Sequence, residues 1–391
     1  MSVSTQGSFE SGHTDQIHDC QYDYYGRVRP RARRIEARTT ARCFHLHAPR
    51  RLVPRGSTSR ELPSSTPTDR SAITTTIFRP PTAPRVPSFS PSAHVFYPPE
   101  PSRHLSQRVA TCSSDRTIKI FDVSGETQTL VANLTGHDGP VWMCTWAHPK
   151  FGVMLASCSF DQKVIIWKES EQQPGAFSPI YTSPATLHDA SVNAVAWAPH
   201  ELGLALACAS SDGSISVISR GQDGQWDATK IPGAHSIGCT GVCWSPAPPP
   251  GSLVAGGGAG QAQPVRRLVS SGCDNLAKIW RFDDAAGGWK EEHQLRGHDD
   301  WVRDACWSSN VGMPMNTVAT CGQDGKVLIW TQDEPGGAWN KTLLNDFGAP
   351  VWRLSWSVMG SVLAVSDANN LVTVWKESVD GKWDQIAAAD Q

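Results

Sequence analysis

The stretch GHDGPVWMCTWAHPKFGVMLASCSFDQKVIIW, residues 136–167, holds the unit from which most of the chain is built. In it His137 precedes Trp146 by nine residues, and Asp161 precedes Trp167 by six. Between the first pair, Val141, Trp142, Met143 and Cys144 are apolar residues of the β-branched and aromatic kind that suit a half-buried strand. Leu155–Ser159 reads as a second strand, and FDQKVIIW as a tight turn followed by a third.

The same landmarks recur outward in both directions. Histidine and a following aromatic pair as His13 with Tyr22, His188 with Trp197, His235 with Trp244, and His298 with Trp307. A sixth copy has Phe347 in the histidine slot and then Trp356. The second landmark recurs as Asp115/Phe121, Asp212/Ile218, Asp274/Trp280 and Asp324/Trp330, with Asn369/Trp375 as the sixth. A tryptophan-led strand follows at Trp226, Trp289, Trp339 and Trp383. Four strands per unit, repeating every roughly 45–60 residues, match a WD-repeat β-propeller. The expected fold is therefore all-β, with six blades.

Composition is compatible with this and splits the chain. Its 391 residues are 39% apolar and 18% charged, enough to bury a core. No apolar run reaches the length of a membrane helix, and the first residues lack a basic then apolar signal pattern. The eleven cysteines form no CxxC pair, which predicts reduced thiols in cytosol or nucleus. The net charge of -2 hides an imbalance. Residues 28–107 contain 14 Arg, no Lys and four acids, together with 13 of the 28 prolines. All 16 tryptophans lie C-terminal to residue 140.

The basic segment interrupts the first repeat. The His-to-Asp spacing is 24, 24, 39, 26 and 22 in the later copies, but 102 from His13 to Asp115. Removing the 80 residues restores 22. The organisation expected is 1–27 as N-terminus and first strand, 28–107 as a Pro/Arg/Ser-rich insert without a core, and 108–391 as the rest of the propeller. Three origins fit the insert. A retained intron is one, since a Val28 codon begins GT and Gln107 can be CAG. A translated disordered arm is another, with RVRPRARR at 27–34 suited to nucleic acid, an import receptor or an acidic surface. The third is an expression scar, because LVPRGS at 52–57 spells a thrombin site.

Ser, His and Asp recurring together invite a catalytic-triad reading. A nucleophile would occur once, whereas these residues recur in nearly every unit, as do the buried hydrogen-bond tetrads of WD repeats. Cys112, Cys158, Cys208 and Cys321 fall at strand centres and read as small core residues. Cys239 and Cys243 lack metal-ligand spacing, the Gly-rich 256–260 lacks a P-loop lysine, and the sequons at Asn133 and Asn340 mean little without a secretory signal. The expectation is no enzyme, no catalytic residue, no metal and no cofactor.

The last copy supplies its own outer strand, and only twelve polar residues precede His13, so no strand is predicted to latch the ring. Six blades without a latch leave a gap that a partner can fill by adding strands. The edges expected to meet it are Ile17, Cys20 and Tyr22 in the first strand and Leu371, Val372 and Trp375 in the sixth blade.

The segments IHDCQYDYYGR, RVATCSSDRTIKIFDV, SVNAVAWAPHELGLALACASSDGSISV, AHSIGCTGVCWSP, SGCDNLAKIW, DWVRDACWSS and NNLVTVWKESVDGKW resemble the Sec-thirteen family. The likeness covers 9–27 and 108–391 and departs at 28–107. The resemblance implies an open six-bladed ring acting as a scaffold in the outer COPII coat, the nuclear-pore Y-complex and the SEA complex that regulates TORC1 signalling. It implies two blade donors, a Sec-thirty-one-like coat subunit and a scaffold nucleoporin, among other subunits of the three complexes. It further implies no direct nucleic acid and only peripheral membrane association. The locations implied are the cytoplasmic face of the endoplasmic reticulum, its vesicles, the nuclear pore and the vacuolar membrane. The rival reading is a ubiquitin-ligase substrate adaptor or a peptide-reading platform.

Overall fold

The computed structural model describes residues 3–22, 72–78, 107–124, 127–248, 265–309, 315–333, 336–378 and 380–390. It begins with β1 (Val3–Glu10). Blade 1 takes β2 (Ile17–Tyr22) and, after β3 (Ala72–Phe78), continues with β4 (Gln107–Ser113), β5 (Thr117–Ser124) and β6 (Thr127–Thr135). Blade 2 is β7 (Val141–Trp146), β8 (Met154–Ser159), β9 (Val164–Glu169) and β10 (Phe177–Thr182). Blade 3 is β11 (Val192–Trp197), β12 (Ala205–Ser210), β13 (Ile215–Arg220) and β14 (Trp226–Ile231). Blade 4 is β15 (Cys239–Trp244), β16 (Arg267–Gly272), β17 (Leu276–Asp283) and β18 (Gly288–Arg296). Blade 5 is β19 (Val302–Trp307), β20 (Asn316–Gly322), β21 (Lys326–Gln332) and β22 (Asn340–Asp346). Blade 6 is β23 (Val351–Trp356), β24 (Val362–Asp367), β25 (Leu371–Glu377) and β26 (Trp383–Asp390).

Each blade is an antiparallel four-stranded meander, and the ring has the six expected blades. The first strands of successive blades pack in series, β2 by β7, then β11, β15, β19 and β23. Among the described residues β23 and β2 do not share such a contact, so the ring is open between blades 6 and 1. Apolar clusters join the blades across their faces. One links blades 1 and 2 through Ile118, Ile120, Leu155 and Trp167. The others link blades 2 to 4, 4 to 5, and 5 to 6. Because a blade is covered on both faces, β8, β12, β16 and β20 are buried along their whole length. The outer strands are the more exposed ones, as in β18, where only Leu295 is buried.

The third landmark now has a partner. Trp289, Trp339 and Trp383 meet Trp244, Trp307 and Trp356 edge-on at ring separations of 5.7, 5.7 and 5.9 Å, each pair spanning one sheet from outer to inner strand. Trp226 departs from this, lying tilted with its ring 5.3 Å from that of Tyr181 in the preceding blade.

Two expectations are corrected here. A strand does precede His13, namely β1, and it pairs antiparallel with β3 from within the insert, Val3 opposite Phe78 and Glu10 opposite Ala72. The physical signal was present in AITTTIF, a β-branched run inside the segment expected to lack a core. The remainder of that expectation lies outside the described residues. β1 is hydrogen-bonded to β3 and to no strand of blade 6, although it lies against β26, the outer strand of that blade.

β2 and β4 pair directly, Cys20 opposite Thr111 and Tyr22 opposite Val109, although 85 residues separate Tyr22 from Arg108. Joining Arg27 to Arg108 leaves five. By loop-closure entropy this shortening is worth at most about 2–3 kcal/mol. Urea unfolding of the joined chain is expected to give equal or greater stability than the full chain, and a clear loss would show that the insert supports the ring.

Candidate functional site

The sequence-predicted histidines and aspartates converge blade by blade at one end of the ring. His13 Nδ1 lies 2.7 Å from Asp115, and its Nε2 lies 2.9 Å from the Thr111 hydroxyl. His137 joins Asp161 at 3.0 Å and Ser157 at 2.8 Å, while Trp167 Nε1 donates to Ser157 at 3.0 Å. His235, Asp274, Ser270 and Trp280 repeat this at 2.8, 2.8 and 2.9 Å. His298, Asp324, Thr320 and Trp330 repeat it at 3.1, 2.9 and 2.9 Å. In blade 3, His188 reaches Ser216 at 2.8 Å and Asp212 at 3.6 Å. In blade 6, Phe347 packs edge-on against Trp375, whose indole donates to Thr373, and Asp367 accepts the Asn369 and Leu371 N–H groups.

This arrangement holds turns in place. The hydroxyls of Ser157, Ser270 and Thr320 are fully buried, and each accepts an indole N–H, so none faces a substrate. The aspartate caps the turn that follows it. The next residue is left-handed in blades 1 to 5, at Arg116, Gln162, Gly213, Asn275 and Gly325, with φ from 63° to 80°. Gly213 is required there, because a Cβ would lie 2.3 Å from the His235 carbonyl. Cys112, Cys158, Cys208 and Cys321 are completely buried, and burial pushes the Cys112 thiol up to about 11 and Cys208 to about 12. Among the described residues no three His, Cys, Asp or Glu side chains converge as metal ligands.

Burial also pushes the His13 and His188 imidazoles below their usual value, outweighing Asp115 and Asp212, which favour the charged form. Burial alone would raise the Asp161 carboxyl, but His137 and the Asp138 and Lys163 N–H groups take it down to about 2. Protonating His13 and His188 is therefore harder in the folded chain than in the unfolded one. Below about pH 6.5 the unfolded chain binds more protons at these sites, so stability falls as pH drops. A thermal scan is expected to show lower Tm at pH 5.5 than at 7.5; an unchanged or higher value would contradict this. The Asp161 contribution is lost only in the acid window from about 4 down to 2.

The contacts that bind blade to blade were not read from the sequence. Trp146 Nε1 donates to the Gln21 carbonyl at 3.1 Å, Trp197 to Thr145 at 3.0 Å, Trp244 to Ala196 at 3.0 Å and Trp356 to Cys306 at 3.2 Å. In each, the last residue of one first strand hooks the next-to-last residue of the preceding one. Trp307 is the exception: its Nε1 has no partner among the described residues, and its backbone N–H meets Cys243 Sγ at 3.5 Å. Asp19 and Asp304 add a second link, accepting the Cys144 and Leu354 N–H groups of the next blade at 3.3 and 3.1 Å. The recurrence of Trp at the strand end was the signal available.

Of the predicted partner edges, Ile17, Cys20 and Tyr22 lie on β2, an edge strand paired only with β4. Leu371, Val372 and Trp375 do not lie on an edge. β25 is flanked by β24 and β26, because Trp383–Asp390 pairs along its whole length, and the edges of blade 6 are β23 and β26. Trp375 also points away from the gap, into the cluster shared with blade 5.

The family profile described as WD domain, G-beta repeat matches residues 89–122, 128–168, 178–219 and 289–331. Each of the last three spans the outer strand of one blade and the inner three of the next. The first begins inside the insert, whereas in the structure the strand beside β4 is Ile17–Tyr22 and the histidine on Asp115 is His13. A protein transport protein SEC13 from Mycosarcoma maydis is 47% identical over 326 residues, covering 73% of this chain and 89% of that one. The chain belongs to the SEC13 family. A SEC13 homolog from Drosophila melanogaster is 47% identical over 279 residues, 71% of this chain and 76% of that one. A SEC13 protein from Cryptococcus neoformans is 42% identical over 306 residues, with coverage of 73% and 91%. The family supports a role in protein transport. By the stagger of the repeats, β1, ending three residues before His13, stands where the outer strand of a blade preceding blade 1 would run.

Asp304 is the most localised test of how blade 6 is held. It is 2% exposed and accepts both the Ala305 and Leu354 N–H groups. Asp304→Ala is expected to destabilise the protein by about 1–3 kcal/mol for each buried N–H left unpaired, read by urea denaturation. A change below about 0.5 kcal/mol would contradict the role of this link.

Proposed function

We propose that this SEC13-family chain is a scaffold subunit whose open ring is completed by a blade from a partner, and that its work is to join and stiffen elongated coat proteins. The observation that carries this is the gap between blades 6 and 1, together with the outer-strand position of β1. The family resemblance supplies the setting: the COPII outer coat in transport from endoplasmic reticulum to Golgi, the nuclear-pore outer ring, and the SEA complex. The partners proposed are a Sec-thirty-one-like coat subunit and a scaffold nucleoporin, with membrane association only through these complexes. The proposed locations are the cytoplasmic face of the endoplasmic reticulum and its vesicles, the nuclear pore and the vacuolar membrane. The proposed role is structural, without catalysis.

The position of β1 bears on what the partner supplies. With the outer strand already present, three inner strands complete a seventh blade. In this structure β3 occupies the pairing edge of β1, so the insert competes for the place of a donated strand. Affinity for the blade-donating segment of the coat subunit is expected to be higher for the chain joined from Arg27 to Arg108 than for the full chain. Equal affinities in a calorimetric titration would refute the competition. A pull-down from cytosol tests the function itself: coat and pore scaffold proteins are expected, and recovery of ubiquitin-ligase subunits instead would overturn it.

A further inference from the structure

The first strands share one six-residue register. Their fifth positions are Gln21, Thr145, Ala196, Cys243, Cys306 and Ser355, and their sixth are Tyr22, Trp146, Trp197, Trp244, Trp307 and Trp356. At four of the five blade junctions the sixth-position indole donates to the fifth-position carbonyl of the blade before, at 3.0–3.2 Å. Ser355 is the fifth position of blade 6, and the blade that would hook it is the missing one. No described side chain takes that place.

Resting on the reading of blade donation above, we propose that the strand which enters the gap beside β23 ends on a tryptophan, whose indole N–H donates to the Ser355 carbonyl. The partner is thereby read as one more blade in register, and not as any sheet of suitable width. Three features of this chain support the choice of an indole. The acceptor is a main-chain carbonyl at a position where the acceptor side chain varies from Gln to Ala, so recognition depends on geometry that the ring repeats. The donor must cross the same blade-to-blade spacing that Trp146, Trp197, Trp244 and Trp356 cross. A phenylalanine could fill that space but would bring no N–H to the carbonyl. The Trp307 junction shows that the ring tolerates one missing bond, so the hook tunes affinity and register and is not the whole of docking.

A cross-linking experiment on the full chain tests this. Lys376 is exposed, and by strand alternation it lies on the face of β25 opposite Trp375, away from blade 5. Lys376→p-benzoylphenylalanine, irradiated in cytosol, is expected to capture a β-strand segment of a partner, identified by peptide sequencing. The captured segment is then expressed, and its strand-end tryptophan is replaced by benzothienylalanine, which keeps the shape and lacks the N–H. Affinity for the full chain is expected to fall roughly three- to tenfold, as for loss of one hydrogen bond. A captured strand without tryptophan, or a change below twofold, overturns the indole proposal and leaves blade donation standing. Failure to capture any strand at Lys376, while the same photoprobe placed at exposed Leu130 works as a labelling control, overturns blade donation and this proposal with it.

Discussion

Every blade of this ring is buried on both faces, and the rest of the structure follows from that requirement. A four-stranded sheet whose second and third strands are apolar on both sides cannot stand in water alone. Ile118 and Ile120 need Leu155 and Trp167, and Val327 and Ile329 need Leu354 and Leu363. The requirement passes from blade to blade until it reaches blades 6 and 1, whose described first strands are not packed together as the other neighbours are. Val109 on blade 1 and Val372 and Val374 on blade 6 are buried, yet they belong to none of the four clusters that knit neighbouring blades. These side chains are 0–1% exposed, so what sets the two ends of the ring apart is the lack of a neighbouring blade, and that is the physical basis for a partner.

Polar groups set the register that apolar burial leaves loose. The aspartate–histidine–hydroxyl–tryptophan relay ties each loop to its sheet, and its fully buried hydroxyls exclude the catalytic reading of the same residue types. The indole-to-carbonyl hooks act between blades, where sliding of one sheet on another would otherwise cost little. Asp19 and Asp304 reinforce the first and last junctions, those nearest the gap. These two carboxylates anchor the blades that have a neighbour on one side only.

The fold was largely legible. Nine residues separate His137 from Trp146 and six separate Asp161 from Trp167, and both spacings recur because each repeat must start and end the same strands, whereas the stretch between histidine and aspartate varies from 22 to 39 residues in the later copies. His13 and Asp115 could be matched across 102 residues for the same reason, and they meet at 2.7 Å. The partner edges were legible only in part. Ile17–Tyr22 is an edge, but Leu371–Trp375 is interior, because the strand order within a sheet is not written in the repeat spacing. β1 was missed because VSTQGSFE is polar, and a strand at the outer rim need not carry an apolar pattern.

By itself, then, the amino-acid sequence determined the number of blades and the residues that lock each turn, since both are local and repeat. Whether the ring closes was decided only by the tertiary structure. Closure depends on the curvature summed over six sheets and on which strand β1 pairs with, and neither quantity is local to any repeat. The same holds for the hooks from Trp146, Trp197, Trp244 and Trp356: the tryptophans are visible in the sequence, but their acceptors, 48 to 125 residues away along the chain, are brought within reach only by the ring.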